Sequence, residues 1–105
     1  MNNVKFSHNW NNKLNCNVFT TIRKYTDNKA DYYGCNVDGE FAIDLNGVIV
    51  GTAILVSVRL ETLYKIPAEV IMVDSGLDRE KAYDLFEKFG IKFGDDCLIL
   101  TFKKK

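Results

Sequence analysis

The 105-residue sequence lacks most of the features by which a function is usually read. No apolar run approaches the ~20 residues that a membrane-spanning helix needs. The opening Met1-Asn2-Asn3-Val4-Lys5 carries no apolar segment of the signal-peptide kind, so no membrane association and a cytoplasmic location are expected. Cysteine is sparse: Cys16, Cys35 and Cys97 are odd in number and far apart, with no CxxC and no Cys/His cluster. That pattern argues against a zinc site and suits three reduced, buried thiols. No metal and no cofactor is expected. The lone histidine, His8, reads as a surface group rather than a catalyst. Neither charge sign is in excess, because the formal net charge is +0, so no global basic field draws the chain onto long nucleic acid.

What remains is an ordinary globular composition, 47% hydrophobic and 27% charged, of a length that makes residues 1–105 a single domain. The charge is unevenly spread. Residues 1–29 hold five bases (Lys5, Lys13, Arg23, Lys24, Lys29) against the single acid Asp27, whereas residues 30–105 are net acidic. A locally basic segment on a neutral chain is compatible with a short anionic ligand.

The stretch Val18 to Tyr25 organises the rest. It is rich in β-branched and aromatic residues and free of Gly and Pro, which predicts a strand. Parity places Val18, Thr20 and Ile22 on one face and Phe19, Thr21, Arg23 and Tyr25 on the other. The first face reads as core. The second sets two hydrogen-bonding side chains between aromatic rings, which fits either a solvated face with a paired Arg or a cleft for a flat, anionic ligand.

Around it, Val4 to Phe6 predicts a short strand, and Ser7 offers an N-cap for helical turns over 8–14 with Trp10 and Leu14 on one side. Trp10 reads as a core anchor more readily than a stacking platform. Thr26 to Gly34 reads as a polar loop bearing Tyr32 and Tyr33. Glu40 to Leu45 alternates, with Phe41, Ile43 and Leu45 inward. Asn46-Gly47 predicts a type I′ turn into a long strand from Val48 to about Leu60, with a bulge or a close backbone approach at Gly51. Pro67 precedes a helix over 68–73 that is broken at Asp74 to Leu77. Asp78 caps a second helix over 79–89, Gly90 stops it, and a last strand runs over 97–102. The order predicts an α+β fold: a small barrel of about five to six strands with two to three helices at its ends.

On these motifs the chain resembles an ASCH domain, a branch of the PUA-like β-barrel superfamily. Phe19-Thr20-Thr21-Ile22-Arg23 is similar to the family's Lys-Thr-x-Thr-x-Arg stretch. The long hairpin, the segment Asp74-Ser75-Gly76-Leu77 before an amphipathic helix, and the closing strand also match. The resemblance covers nearly the whole chain. It implies RNA-related roles: binding of RNA or a nucleotide beside the central strand and, in some members, hydrolysis of an acetylated cytidine or cleavage of RNA. In the hydrolytic members a Lys, a Thr and a Glu carry the chemistry. Their Thr matches Thr21 and the motif's Arg matches Arg23. Their Lys falls on Val18, which cannot ionise, and their Glu falls at Asp74 or Ser75.

The leading expectation is therefore a module that binds RNA, a nucleotide or a nucleoside. Thr21 and Arg23 would hold the polar groups, Tyr25, Tyr32 or Tyr33 would stack, and Asp74 or Ser75 would close the cleft. A hydrolase acting on a modified nucleoside, or a ribonuclease, using Thr21 and Asp74, is the alternative, and the missing lysine weighs against the nucleoside hydrolase. A protein-interaction domain with a vestigial cleft is the third reading.

Overall fold

Parity along the last strand divides the interior in two. The computed structural model describes residues 2–105. Its strands are β1 (Asn2–Phe6), β2 (Val18–Lys24), β3 (Glu40–Leu45), β4 (Val48–Thr62) and β5 (Asp96–Lys104). Its helices are α1 (Asp27–Gly34), α2 (Ala68–Ser75) and α3 (Arg79–Lys88), with 3-10 segments at Trp10–Asn15 and Leu63–Lys65. Leu98, Leu100 and Phe102 of β5 point into one cluster with Phe6, Phe19 and Phe41. Cys97 and Ile99 point into the other, with Ile22, Ile71 and Phe86 under α2 and α3. A sheet covered on both faces buries the successive residues Cys97 to Leu100 of this strand, which explains its apolar run.

The five strands form one mixed sheet in the order β1-β3-β4-β5-β2. Only β1 and β3 are parallel; the other pairs are antiparallel. The α+β class is as expected, but the sheet is not closed, since no ladder joins β1 to β2. The two edges nevertheless face each other. Arg23 of β2 donates from Nη2 to the Lys5 carbonyl of β1 at 2.7 Å, and Phe6 packs edge-on against Phe19 with ring centroids 6.1 Å apart. Two bulges in β4 supply the curl. One skips Val50 beside Gly51, where the sequence predicts it, and the other skips Val56. The Asn46-Gly47 turn also forms as expected, with φ of 52° and 85°.

Several expectations need correction. Residues 27–34 are helical rather than a loop, because Thr26 accepts the Lys29 N–H as an N-cap and Asp27 sits in the first turn. Ser7 caps nothing. The segment after it is not a regular helix, since Asn11 and Asn12 take positive φ (56° and 51°), which Asn tolerates and most residues do not. That kink also breaks the expected Trp10–Leu14 spacing. The helix from Ala68 continues through Asp74 and Ser75 and stops at Gly76, whose φ of 76° makes it the left-handed cap. Val18 is exposed rather than core, while Phe19 and Thr21 are buried, so both faces of β2 contribute to the interior. Cys16 and Cys35 are exposed, and only Cys97 is buried, because the first two lie on connecting segments and the third on β5.

Candidate functional site

The gap between the two sheet edges holds a cavity of about 280 Å³. β2 is an edge strand, so side chains of both parities reach it: Thr21 and Arg23 from one face, Ile22 and Lys24 from the other. Lys5 and Phe6 line it from β1, Trp10 and Lys13 from the 3-10 segment, and Asp74 and Ser75 from α2. Phe86 and Phe89 approach from the α3 end, and Lys29 from α1. All five bases of the basic N-terminal stretch therefore line a single cavity, and Asp74 is the one carboxylate among its lining residues.

Asp74 and Lys13 form its floor. Lys13 Nζ lies 3.0 Å from Asp74 Oδ1, with both side chains 6% exposed. Thr20 donates to the same oxygen at 3.0 Å. Asp74 Oδ2 has no donor among the described residues, which leaves an acceptor for a ligand N–H or O–H. Burial pulls the Lys13 pKa below that of an ordinary lysine, a shift that Asp74 opposes and Arg23 reinforces. Lys13 also lies 5.6 Å from the Phe6 ring centroid.

Arg23 is fixed from several sides. Its Nε donates to Thr21 Oγ1 at 2.9 Å, and its Cζ lies 4.9 Å from the Phe6 ring centroid. Burial works against its charge, while Tyr33 and Asp74 support it. Thr21 is buried, and its hydroxyl proton remains available because its oxygen is the acceptor toward Arg23. Ser75 is buried beside Asp74. Its Oγ donates to the Ile71 carbonyl at 2.8 Å and accepts from the Leu77 N–H at 3.2 Å, so it serves the end of α2.

The structure thus brings Thr21, Arg23, Asp74 and Ser75 together and leaves the three tyrosines outside the cavity lining. Tyr25 donates to Asp27 at 2.9 Å, a bond that raises its pKa. Tyr32 packs on Phe41 and bonds the backbone of Asn3. Tyr33 is buried and stacks on Phe41, with burial raising its pKa. Once residues 27–34 wind into a helix, neighbouring tyrosines point in different directions, and Tyr33 enters the core while Tyr32 stays exposed.

Sequence reasoning placed Lys13, Lys5 and Lys29 only in a basic segment, read Trp10 first as a core anchor, and missed Phe89 as a site residue. The only signal for the three lysines is the charge asymmetry of residues 1–29. Lys13 matters most, since it places a buried cation beside the buried carboxylate of Asp74. It comes from the 3-10 segment rather than from β2. Asn11 docks that segment onto α2, donating from Nδ2 to the Val73 carbonyl at 2.9 Å. Among the described residues no group of three potential metal ligands occurs, and no helix is long and apolar enough to cross a membrane. No protein-family model, curated protein or solved structure matches the chain.

Proposed function

We propose that the cavity binds a nucleotide, free or within single-stranded RNA, as an ASCH-like module would, and that the curled sheet is a PUA-like barrel left open at its binding gap. One observation carries this reading: five cationic side chains converge on a cavity with a single carboxylate. Such a lining favours an anion, and Arg23 suits a phosphate or base edge. The volume, near the ~300 Å³ lower bound of ordinary ligand sites, favours one nucleotide over a duplex.

The test is equilibrium binding of the four 5′-mononucleotides and a short single-stranded RNA at two salt concentrations. Lys5 and Lys29 are exposed, so Lys5→Ala and Lys29→Ala probe the charge without disturbing the core. Binding that weakens with salt and weakens further in both variants is expected. Wild-type affinity in both, or no binding at all, would overturn the reading and favour a protein partner.

The Lys13–Asp74–Thr20 cluster supports a second reading, a hydrolase acting on a modified nucleoside. A lysine with a lowered pKa gives up its proton more easily than a free one. Asp74 would take a proton from the water that attacks the acyl carbon, Thr21 and Arg23 would polarise the scissile carbonyl, and Lys13 would give a proton to the departing cytidine amine as the C–N bond breaks. Turnover of an N-acylated cytidine that is lost in both Lys13→Met and Asp74→Asn is the expected outcome. Absence of turnover across a panel of modified nucleosides would remove this reading and leave the binding site intact.

A further inference from the structure

We infer that Trp10 and Phe89 form the base-stacking wall of this cavity, so that its ligand lies with its ring against Trp10 and its phosphate toward the lysines. The inference rests on the cavity being a nucleotide site and deepens it, because cations alone would accept any small anion. Trp10 is only half-buried and lines the cavity, and its indole N–H has no acceptor among the described residues. A tryptophan serving only as a core anchor would be more fully covered, and a buried N–H would be satisfied.

Phe89 is 54% exposed, at the end of α3 on the same cavity. The two rings stand nearly perpendicular, at 82°, with centroids 6.5 Å apart. A flat ring stacked on Trp10 would therefore run nearly perpendicular to Phe89, and both arrangements are favourable for aromatic pairs. Trp10 is also held in place. His8 packs edge-on against it at 4.4 Å. Asn11, its chain neighbour, is tied to the C-terminal carbonyls of α2. An aromatic pair held at the mouth of a cation-lined cavity supplies what stacking recognition of a base needs, and stacking tolerates any base because each has a π-face.

Trp10 is the only tryptophan, so its fluorescence reports on this wall alone. The experiment titrates the protein with the four 5′-mononucleotides, ribose 5-phosphate and a short oligoadenylate, in wild type, Phe89→Ala and Trp10→Leu. Nucleotides are expected to quench Trp10 and to bind on the order of tenfold tighter than ribose 5-phosphate. Phe89→Ala and Trp10→Leu should each lose that advantage while keeping the ribose 5-phosphate affinity of wild type. Phe89 is exposed, so its variant remains informative even if Trp10→Leu does not fold. Equal affinity for nucleotides and ribose 5-phosphate, unchanged in Phe89→Ala, would overturn the stacking wall and leave an anion site. No binding of either would overturn the nucleotide reading as well. Oligoadenylate binding tighter than 5′-AMP would identify a strand end as the source of the nucleotide, and weaker binding a free nucleotide.

Discussion

Lys13 and Asp74 are an expensive pair to bury for stability alone. Two charges removed from water recover little more than their desolvation cost, and such pairs are often replaceable by apolar residues without loss. Breaking one is different, because it strands the partner. Lys13→Met is therefore expected to cost about 3 kcal/mol in urea denaturation, while Lys13→Met/Asp74→Leu recovers most of that loss. A double variant as unstable as the single one would show that the pair is structural. The pH dependence has a definite sign. Burial lowers the folded-state pKa of Lys13 from 10.5, so between that lowered value and 10.5 the unfolded chain binds more protons. Stability contributed by this group should then rise with pH across that window, measured against the double variant. The thiols make a separate check. Cys97 is buried with its pKa pushed up to about 11 by desolvation, whereas Cys16 and Cys35 are exposed. Near pH 8, alkylation of the folded protein should label Cys16 and Cys35 rapidly and Cys97 only on unfolding. Rapid labelling of Cys97 would contradict its placement under α2 and α3. None of this was legible from residue types. A lysine among asparagines gives no sign that it is buried, and three isolated cysteines give no sign of which is covered.

At the scale of elements, the 3-10 segment that carries Lys13 and Trp10 was the least legible and is the most consequential. Its asparagines weaken any helix prediction, yet they are what the geometry uses. Asn11 and Asn12 take left-handed backbone, and Asn9 accepts the Leu14 N–H at 2.9 Å. The segment seats against α2 where Gly76 has no side chain. A Cβ there would stand 3.1 Å from Asn11 Oδ1 and 3.2 Å from its Cβ, on a residue with φ of +76°. Gly76→Ala is expected to cost about 1–2 kcal/mol from the backbone conformation. It should also displace Asn11 and weaken nucleotide binding, although residue 76 does not line the cavity. Unchanged affinity in a folded Gly76→Ala variant would show that the seat does not position the site. Elements with strong local signals were read closely instead. The Asn46-Gly47 hairpin, the Asp78-capped helix and the closing strand lie within about two residues of expectation. The helix at 27–34 was missed because Asp, Asn and Lys suit a turn and a first helical turn equally well, and Thr26 decides between them.

At the scale of the whole molecule, the site exists because the sheet curls and does not close. Arg23 spans the gap through the Lys5 carbonyl, and the cavity occupies what a ladder between β1 and β2 would fill. The sequence showed that β2 presents two different faces, but parity could not show that β2 is an edge. That position lets both faces reach one cavity, and it follows only from the strand order. The basic N-terminal stretch becomes the lining of one cavity for the same reason. β1, the 3-10 segment, β2 and α1 all border the gap, so bases distant in sequence converge there. The most direct measurement is the affinity of the tightest-binding 5′-mononucleotide for wild type and for Lys5→Ala/Lys29→Ala, each at low and high salt. Wild-type binding that falls with salt, and a variant with weaker binding and a shallower salt dependence, is the expected result. Equal affinities with equal salt dependence would contradict the convergence of charge as the basis of function.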